Sequence, residues 1–203
     1  MIVAVVVLAI VWLAMLYGGT GPLDRSIYEA LYAGKRPVLA SVARVFTALG
    51  DPTVLVALGF VVALWFWWRG HLRLGVAVLA VTLLGRGLAE VQKYEIARLR
   101  PALEPHLVVV KTSSFPSGHA TSSMIVGLTL ALALTRGTPW TRAAVAVAIL
   151  LSLLIGLSRV VLGVHWPSDV IGGWSFGMLW VLLTWRPAER LLHADSVGVR
   201  TAL

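Results

Sequence analysis

Two histidines and the ionisable residues around them are the side chains best suited to chemistry in this sequence. The stretch SRVVLGVHWPSD contains His165 and, four residues later, Asp169. At that distance a carboxylate could accept a hydrogen bond from one imidazole nitrogen and leave the other nitrogen free as a nucleophile. A helix-capping aspartate beside an interfacial histidine would give the same pattern. This stretch by itself therefore leaves both interpretations open.

The second cluster is the tetrapeptide PSGH, Pro116 to His119. We expect the backbone N–H groups of Ser117 and Gly118 to lie just ahead of a helix N-terminus, where free donors and the helix dipole suit an anion. His119 would lie in the first helical turn as a proton donor or acceptor. We do not expect His119 to bind a metal, since no second histidine or carboxylate lies nearby in the sequence at a spacing typical of metal ligands. The alternative is an ordinary cap with Ser117 as the capping residue.

The third cluster, KYEIARLRP, places Lys93 and Arg100 seven residues apart. If the helix continues to Arg100, both lie on one face about 10 Å apart along the axis, where they could hold a polyanion. Snorkelling of both side chains to the membrane interface is the alternative. Arg86 and Glu90 lie one turn apart in the same segment, which predicts an internal ion pair, because charges inside a membrane usually have partners. Glu90 could also orient Lys93.

The composition predicts an integral membrane protein. Of 203 residues, 59% are hydrophobic and 13% are charged, whereas a soluble domain has about 25% charged residues. The absence of cysteine excludes disulfides, thiol chemistry and zinc-thiolate sites. The net charge of +8 is scattered between apolar runs, which argues against nucleic acid as a partner. Loops beside anionic membrane lipids, or a phosphate site, explain the charge better.

Six apolar segments must position the three clusters. Each is long enough, or nearly so, to cross a hydrocarbon core, which needs about 20 residues. The first lacks a positive n-region, and MLYGGTGP is a poor cleavage site, so we expect an anchor rather than a signal peptide. We predict a single all-α membrane domain over 1–203 with six transmembrane helices, placed near 2–17, 53–68, 74–92, 119–135, 141–161 and 168–185.

The segment 18–51, between the first two spans, mixes apolar and charged residues. Its spacing suits one or two short amphipathic helices at the membrane interface. A structured loop that covers the bundle and a lipid-facing lid are equally compatible with this pattern. We expect residues 186–203 to form a short tail.

With six spans, both termini share one side of the membrane with the short loops between spans 2 and 3 and between spans 4 and 5. We assign that side to the cytoplasm, because its short loops and the tail carry arginines, as cytoplasmic loops usually do. These arginines are Arg69, Arg73, Arg136, Arg142, Arg186, Arg190 and Arg200. The opposite side holds more Lys and Arg in total. An aromatic belt is expected at the same boundary, from Trp65, Trp67, Trp68, Trp140 and Trp185.

The three clusters are expected to meet on the opposite, outer face of the plasma membrane. The end of an odd-numbered span and the start of an even-numbered span lie on the same face. The clusters occupy the end of span 3, the start of span 4, and the connection from span 5 to span 6. They therefore converge although they are far apart in sequence.

Together these clusters resemble the tripartite signature of the type-2 phosphatidic acid phosphatase superfamily, K-x6-RP, PSGH and SR-x5-H-x3-D. Every defining position is present, and the later GGWSFG resembles the small-residue packing of that family's last helix. The matching positions are Lys93, Arg100, Pro101, Pro116, Ser117, Gly118, His119, Ser158, Arg159, His165 and Asp169.

The resemblance implies a metal-independent lipid phosphatase or diphosphatase that needs no cofactor. His165 would form a phosphohistidine, Asp169 would hold its ring, and His119 would protonate the leaving oxygen. The nonbridging phosphate oxygens would be bound by Lys93, Arg100, Ser117, the Gly118 backbone N–H and Arg159. These fixed cations and N–H groups would stabilise charge that Mg²⁺ neutralises in many phosphoryl-transfer enzymes.

Undecaprenyl diphosphate is the substrate that this interpretation favours, because that carrier is released on the outer face. Phosphatidylglycerophosphate, phosphatidic acid and lipid A are alternatives of the same class. The superfamily's soluble vanadium-dependent haloperoxidases fit poorly with six spans. A non-catalytic protein that binds or translocates lipid is a different-class alternative, and the retained His119, His165 and Asp169 argue against it.

Overall fold

The computed structural model describes the backbone of residues 1–198 and the side chains of residues 1–185. The tail predicted at 186–203, with Arg186, Arg190 and Arg200, lies outside the described side chains. Within residues 1–198 the chain is all α-helical and has no strand, as predicted. Its helices are α1 (Ile2–Gly18), α2 (Pro22–Leu31), α3 (Pro37–Leu49), α4 (Pro52–Trp68), α5 (Leu72–Ile96), α6 (Gly118–Leu134), α7 (Thr141–Val161) and α8 (Pro167–Gly198).

Six of these helices match the six predicted apolar segments, except that α8 continues to Gly198 and so includes the backbone of residues 186–198, which were predicted as a tail. Among the described residues, three stretches are long and apolar enough to cross a membrane, namely α5, α7 and the run Pro37–Trp68, which contains α3 and α4. Helices α1 and α2 make a fourth if this pair, bent by 93°, is counted as one span. Helix α6 is apolar but only 17 residues long. The chain therefore carries membrane-spanning helices, and a full set of six spans stays a prediction.

Helix α6 is the centre of the bundle, and small residues of α8 pack against it. A Cβ atom added at Gly173 would lie 2.9 Å from the Thr121 hydroxyl oxygen, and one added at Gly177 would lie 2.9 Å from the Met124 Cβ. The glycines of GGWSFG thus allow α8 to approach α6 more closely than larger residues would. This approach brings the start of α8 beside the start of α6, where two of the three clusters lie.

The predicted segment 18–51 folds as the two short helices α2 and α3. The Tyr28 hydroxyl is buried and donates to the Gly163 carbonyl over 3.3 Å, and the Ala33 N–H donates to the Val161 carbonyl over 3.0 Å. The segment therefore packs on the connection between α7 and α8. Its position at the membrane interface and a role as a lid stay predictions.

The predicted aromatic belt needs one correction. Trp67, Trp68 and Trp140 are 62%, 80% and 71% exposed near the end of α4 and the start of α7, which suits a membrane boundary. Trp185 is only 5% exposed and belongs to the hydrophobic core with Val181. It therefore packs inside the bundle and contributes nothing to the belt.

Candidate active site

One cavity of about 270 Å³ brings the three clusters together. Six of the eight predicted site residues line it, and they come from the end of α5, the start of α6, the end of α7 and the segments that follow α5 and α7. The six are Lys93, Arg100, Gly118, His119, Arg159 and His165. The remaining two, Ser117 and Asp169, are fully buried directly beside these residues.

The hydrogen bonds of His165 determine which ring nitrogen carries the proton. Its Nε2 lies 3.1 Å from Nη1 of Arg100. A guanidinium can only donate, so Nε2 must hold a lone pair. The proton is then on Nδ1, which lies 3.4 Å from Oδ2 of Asp169. The ring therefore keeps its unprotonated nitrogen beside the cations of the cavity.

Burial and charge both keep His165 neutral. The residue is 1% exposed. This burial, followed by the positive charge of Arg100, lowers the pKa of His165 well below its ordinary value of 6.5. A neutral imidazole is the form that can act as a nucleophile.

Asp169 is held by donors from several segments of the chain. Its Oδ1 accepts from Nη1 of Arg98 over 2.9 Å. Its Oδ2 accepts from the Trp166 backbone N–H over 2.9 Å and from the Ser114 hydroxyl. The bond from Trp166 resembles a capping box at the start of α8. The capping interpretation and the His165-orienting interpretation of the sequence therefore both describe this carboxylate.

Arg98 is a residue of this site that the sequence interpretation missed. Its Nη1 donates to Asp169 and, over 3.1 Å, to the Ser168 hydroxyl, and its Nη2 donates to the carbonyls of Met15 and Leu16 over 2.9 and 2.7 Å. One guanidinium thus joins the end of α1 to the start of α8. The motif KYEIARLRP contains Arg98, but nothing in its spacing indicates these partners.

Asp24 of α2 extends this network. It accepts from the Ser168 backbone N–H over 2.9 Å and from the Ser168 hydroxyl, and its own Oδ2 accepts from the Thr20 N–H over 2.7 Å. A continuous set of hydrogen bonds therefore runs from Asp24 through Ser168, Arg98 and Asp169 to His165. No spacing rule in the sequence connects residue 24 with residue 168.

Lys93 and Arg100 do not share one helical face, because the condition for that arrangement, a helix that continues to Arg100, is not met. Helix α5 ends at Ile96, because Ala97 adopts a left-handed conformation with φ of 46°. Arg100 instead reaches the cavity from the irregular segment after the helix. There its Nε donates to the Thr112 carbonyl over 2.7 Å and its Nη1 donates to the Val164 carbonyl.

The three predicted phosphate-binding cations have neutral hydrogen-bond partners. Lys93 Nζ donates to the Thr112 hydroxyl over 3.2 Å, and Arg159 donates to the Thr47 hydroxyl. The Nε atom of Arg159 is buried and has no partner within the protein. Because these carbonyl and hydroxyl partners carry no charge of their own, the hydrogen bonds do not neutralise the cations, and the cavity is suited to an anion.

The PSGH turn differs from the expected anion-binding backbone in one respect. The Ser117 N–H donates to the Asp169 carbonyl over 3.0 Å, so it is already engaged. The Ser117 hydroxyl is buried without a partner in the protein. At Gly118, an added Cβ would lie 3.5 Å from Lys93 Nζ. The turn therefore contributes a free hydroxyl and a close backbone approach, with His119 one residue into α6.

The predicted pair of Arg86 and Glu90 is present. Arg86 Nη2 lies 3.9 Å from Glu90 Oε1, and both residues line the same cavity as His165. Glu90 does not orient Lys93 as suggested. Instead, Lys93 Nζ donates to the Thr112 hydroxyl and the Ser113 carbonyl.

The chain is similar in sequence to one protein family and to two curated proteins. The model of the family described as the PAP2 superfamily matches residues 70–191. Phosphatidylglycerophosphatase B of Bacillus subtilis is 32% identical over 160 residues, which cover 77% of this chain and 78% of that protein. The undecaprenyl-diphosphatase of Sulfolobus acidocaldarius is 36% identical over 110 residues, which cover 52% of this chain and 50% of that protein.

A solved structure is also similar over nearly the whole chain. The crystal structure of a transmembrane PAP2 type phosphatidylglycerolphosphate phosphatase from Bacillus subtilis superposes with a TM-score of 0.83 and 30% identity. The superposition covers 92% of this chain and 96% of that chain.

Proposed function

Because the chain belongs to the PAP2 superfamily, we propose that it hydrolyses a lipid phosphate or diphosphate, without a metal, through a phosphohistidine on His165. One observation carries the proposal. The unprotonated Nε2 of His165 lies beside Arg100 in a cavity that Lys93 and Arg159 also line, with Asp169 on the other side of the ring.

In the first half of the proposed reaction, Lys93, Arg100 and Arg159 bind the nonbridging oxygens of the terminal phosphate. The Arg100 guanidinium moves from His165 to a phosphate oxygen, which releases the Nε2 lone pair. Nε2 then forms a bond to phosphorus as the bond from phosphorus to the lipid oxygen breaks. His119, which takes up a proton once the phosphate anion has bound beside it, gives that proton to the lipid oxygen, and Asp169 stabilises the positive charge of the His165 ring.

In the second half, water replaces His165 on phosphorus. His119, now neutral, takes a proton from the water as the new bond forms and the bond from phosphorus to nitrogen breaks. Inorganic phosphate leaves, and His165 and His119 return to their starting protonation states. The same two histidines thus serve both steps, as microscopic reversibility requires.

Two substrates follow from different observations. Undecaprenyl diphosphate follows from the expectation that the site faces the exterior of the plasma membrane. Phosphatidylglycerophosphate is supported by the relative and the solved structure that cover most of the chain. A non-catalytic lipid-binding protein would have no need for His119 and His165 in one cation-lined cavity, with Asp169 buried behind His165.

The nucleophile assignment is tested by His165→Ala in purified, detergent-solubilised protein with EDTA present. Phosphate release is measured from undecaprenyl diphosphate, phosphatidylglycerophosphate, phosphatidic acid and lipid A. We expect His165→Ala to lose about 10³-fold or more in kcat and to form no acid-labile phosphoenzyme. His71→Ala, at the start of α5 near the opposite end of the bundle, is the matched control. Wild-type phosphate release by His165→Ala would show that another group attacks phosphorus.

The membrane orientation is tested separately, because the natural chain has no cysteine. Ala102→Cys lies near the proposed site and Ala143→Cys lies near the start of α7. An impermeant thiol reagent added to intact cells should label position 102 and spare position 143. The reverse pattern would place the site on the cytoplasmic face.

A further inference from the structure

We propose that Arg86 forms a second phosphate position, deeper in the bundle than the site of cleavage. This position selects lipids whose terminal phosphate is joined through a short linker to an internal phosphate. The inference rests on the proposed function, since it assumes that the terminal phosphate binds beside His165.

The first observation is an unused N–H donor group of Arg86 in the cavity wall. The Nη1 atom of Arg86 is buried and has no hydrogen-bond partner within the protein. The contact between Arg86 and Glu90, at 3.9 Å, is longer than a hydrogen bond. A buried donor without an acceptor is costly, and an ionisable residue inside a membrane helix commonly marks a functional site. Arg86 therefore has binding capacity that its contacts within the protein leave unused.

The second observation is the placement of Arg86 relative to Lys93. The two residues are seven positions apart on α5, which puts them on the same face about 10 Å apart along the axis. Both line the cavity that contains His119 and His165. Arg86 lies further from the end of α5, toward the middle of the bundle. A lipid with its terminal phosphate beside Lys93 and its tails in the bilayer would direct its internal phosphate toward Arg86.

The spacing distinguishes two kinds of lipid. In a diphosphate, both phosphorus atoms share one bridging oxygen, so their separation is less than one helical pitch of about 5.4 Å. Both phosphates would then stay near Lys93. In a lipid such as phosphatidylglycerophosphate, a glycerol unit separates a terminal monoester from an internal diester, and the extended linker spans more than one helical turn. The structure therefore favours the glycerol-linked class.

Glu90 lies between the two cations in sequence and also lines the cavity. Its carboxylate can accept a hydrogen bond from the free hydroxyl of a glycerol linker. The negative charge of the Glu90 carboxylate also reduces the net positive charge near Arg86. A lipid monophosphate without a linker offers neither an internal phosphate to Arg86 nor a hydroxyl to Glu90.

The test compares Arg86→Gln with the wild type on phosphatidylglycerophosphate, undecaprenyl diphosphate and phosphatidic acid. For the glycerol-linked lipid we expect KM to rise about 10-fold or more with kcat nearly unchanged, which is the signature of a lost binding contact. For phosphatidic acid we expect a change of less than about twofold, and the diphosphate should respond less than the glycerol-linked lipid. Arg69→Gln, which removes the same charge at the C-terminal end of α4, is the control and should affect all three lipids equally little.

Three results would overturn the proposal. The first is an equal loss on phosphatidylglycerophosphate and phosphatidic acid, the second is no loss on any lipid, and the third is a larger loss on the diphosphate. Glu90→Gln distinguishes lipid binding by Arg86 from support of helix α5. Glutamine removes the ion pair with Arg86 but keeps an oxygen that can accept a hydrogen bond from the glycerol hydroxyl. If the ion pair merely supports α5, Glu90→Gln should reproduce the Arg86→Gln defect on every lipid.

A substitute variant and a binding measurement apply if Arg86→Gln does not fold or if the wild type is inactive. If Arg86→Gln does not fold, Arg86→Lys is measured in the same way, and an equal change on both phospholipids refutes the proposal. If the wild type hydrolyses none of the lipids, the proposed function fails. The Arg86 position is then judged by lipid binding, where wild type should bind phosphatidylglycerophosphate at least about 10-fold more tightly than Arg86→Gln does and equal binding contradicts it.

Discussion

Replacement of Arg98 by glutamine tests whether the network behind His165 supports catalysis. Glutamine removes the positive charge beside Asp169 and cannot reach all the oxygens that the guanidinium contacts. These are Oδ1 of Asp169, the Ser168 hydroxyl and the carbonyls of Met15 and Leu16. The substitution therefore weakens both the support of the carboxylate and the attachment of α1 to the start of α8.

The size of the effect follows from burial. The side chains of Arg98 and Asp169 are 10% and 0% exposed, and removal of one partner from a buried ion pair costs about 3–5 kcal/mol. Ser114 and the Trp166 N–H still hold Asp169, so only part of this loss should reach the reaction. We expect kcat to fall about 10- to 100-fold, which corresponds to about 1.4–2.8 kcal/mol of transition-state stabilisation.

The assay measures kcat, KM and the thermal midpoint of unfolding for the same detergent-solubilised preparation. Arg44→Gln on the exposed surface of α3 removes the same charge and should leave all three values nearly unchanged. Arg98→Lys keeps the charge but loses the forked donor geometry, so it should recover part of kcat and less of the thermal midpoint. This split distinguishes electrostatic support of Asp169 from the attachment of α1.

Wild-type kcat in Arg98→Gln would refute the reasoning. It would show that Ser114 and Trp166 are sufficient to keep Asp169 in place. A lowered thermal midpoint with unchanged kcat would restrict Arg98 to a structural role.

Two further predictions concern protonation and packing. Because the pKa of His165 is lowered on folding, the unfolded chain takes up a proton near pH 6.5 that the folded chain does not. The stability that this residue contributes is therefore complete above pH 6.5 and declines as the pH falls below it. Nitrogen NMR of histidine-labelled protein should show His165 neutral at pH 5.5, and a midpoint near 6.5 would contradict its burial. Gly75→Ala should lower the thermal midpoint, because its Cβ would lie 2.7 Å from the Ala63 carbonyl oxygen. Gly87→Ala on the same helix meets no atom within 4 Å and should be neutral or stabilising; equal effects of the two substitutions would refute the packing argument.

The helices were largely predictable because their signal is local. Six apolar runs correspond to α1 and α4 to α8. Each run, and the polar, glycine or proline residues that separate it from the next, can be recognised from consecutive residues alone. The end of α5 was not predictable in this way. Ala97 adopts a left-handed conformation, uncommon for a residue with a side chain, and the sequence around it gives no glycine signal for this helix end.

The candidate site shows the same division. The types and spacing of its eight residues are visible in the sequence, and the alternation of span directions was enough to expect them on one face. The partners of those residues were not visible. Ser117 gives its N–H to the Asp169 carbonyl, and Trp185 packs in the core. Both facts depend on how neighbouring helices are rotated.

The sequence by itself determined the helical class, the membrane-type composition and the identity of the ionisable groups, because each depends on residue type and short spacing. The tertiary structure decided which donors surround Asp169, which nitrogen of His165 is unprotonated, and that Arg86 shares the cavity of His165. Arg98 reaches Asp169 across 71 positions and Ser168 reaches Asp24 across 144. Contacts over such separations arise from the packing of helix ends against one another, and no local pattern encodes them.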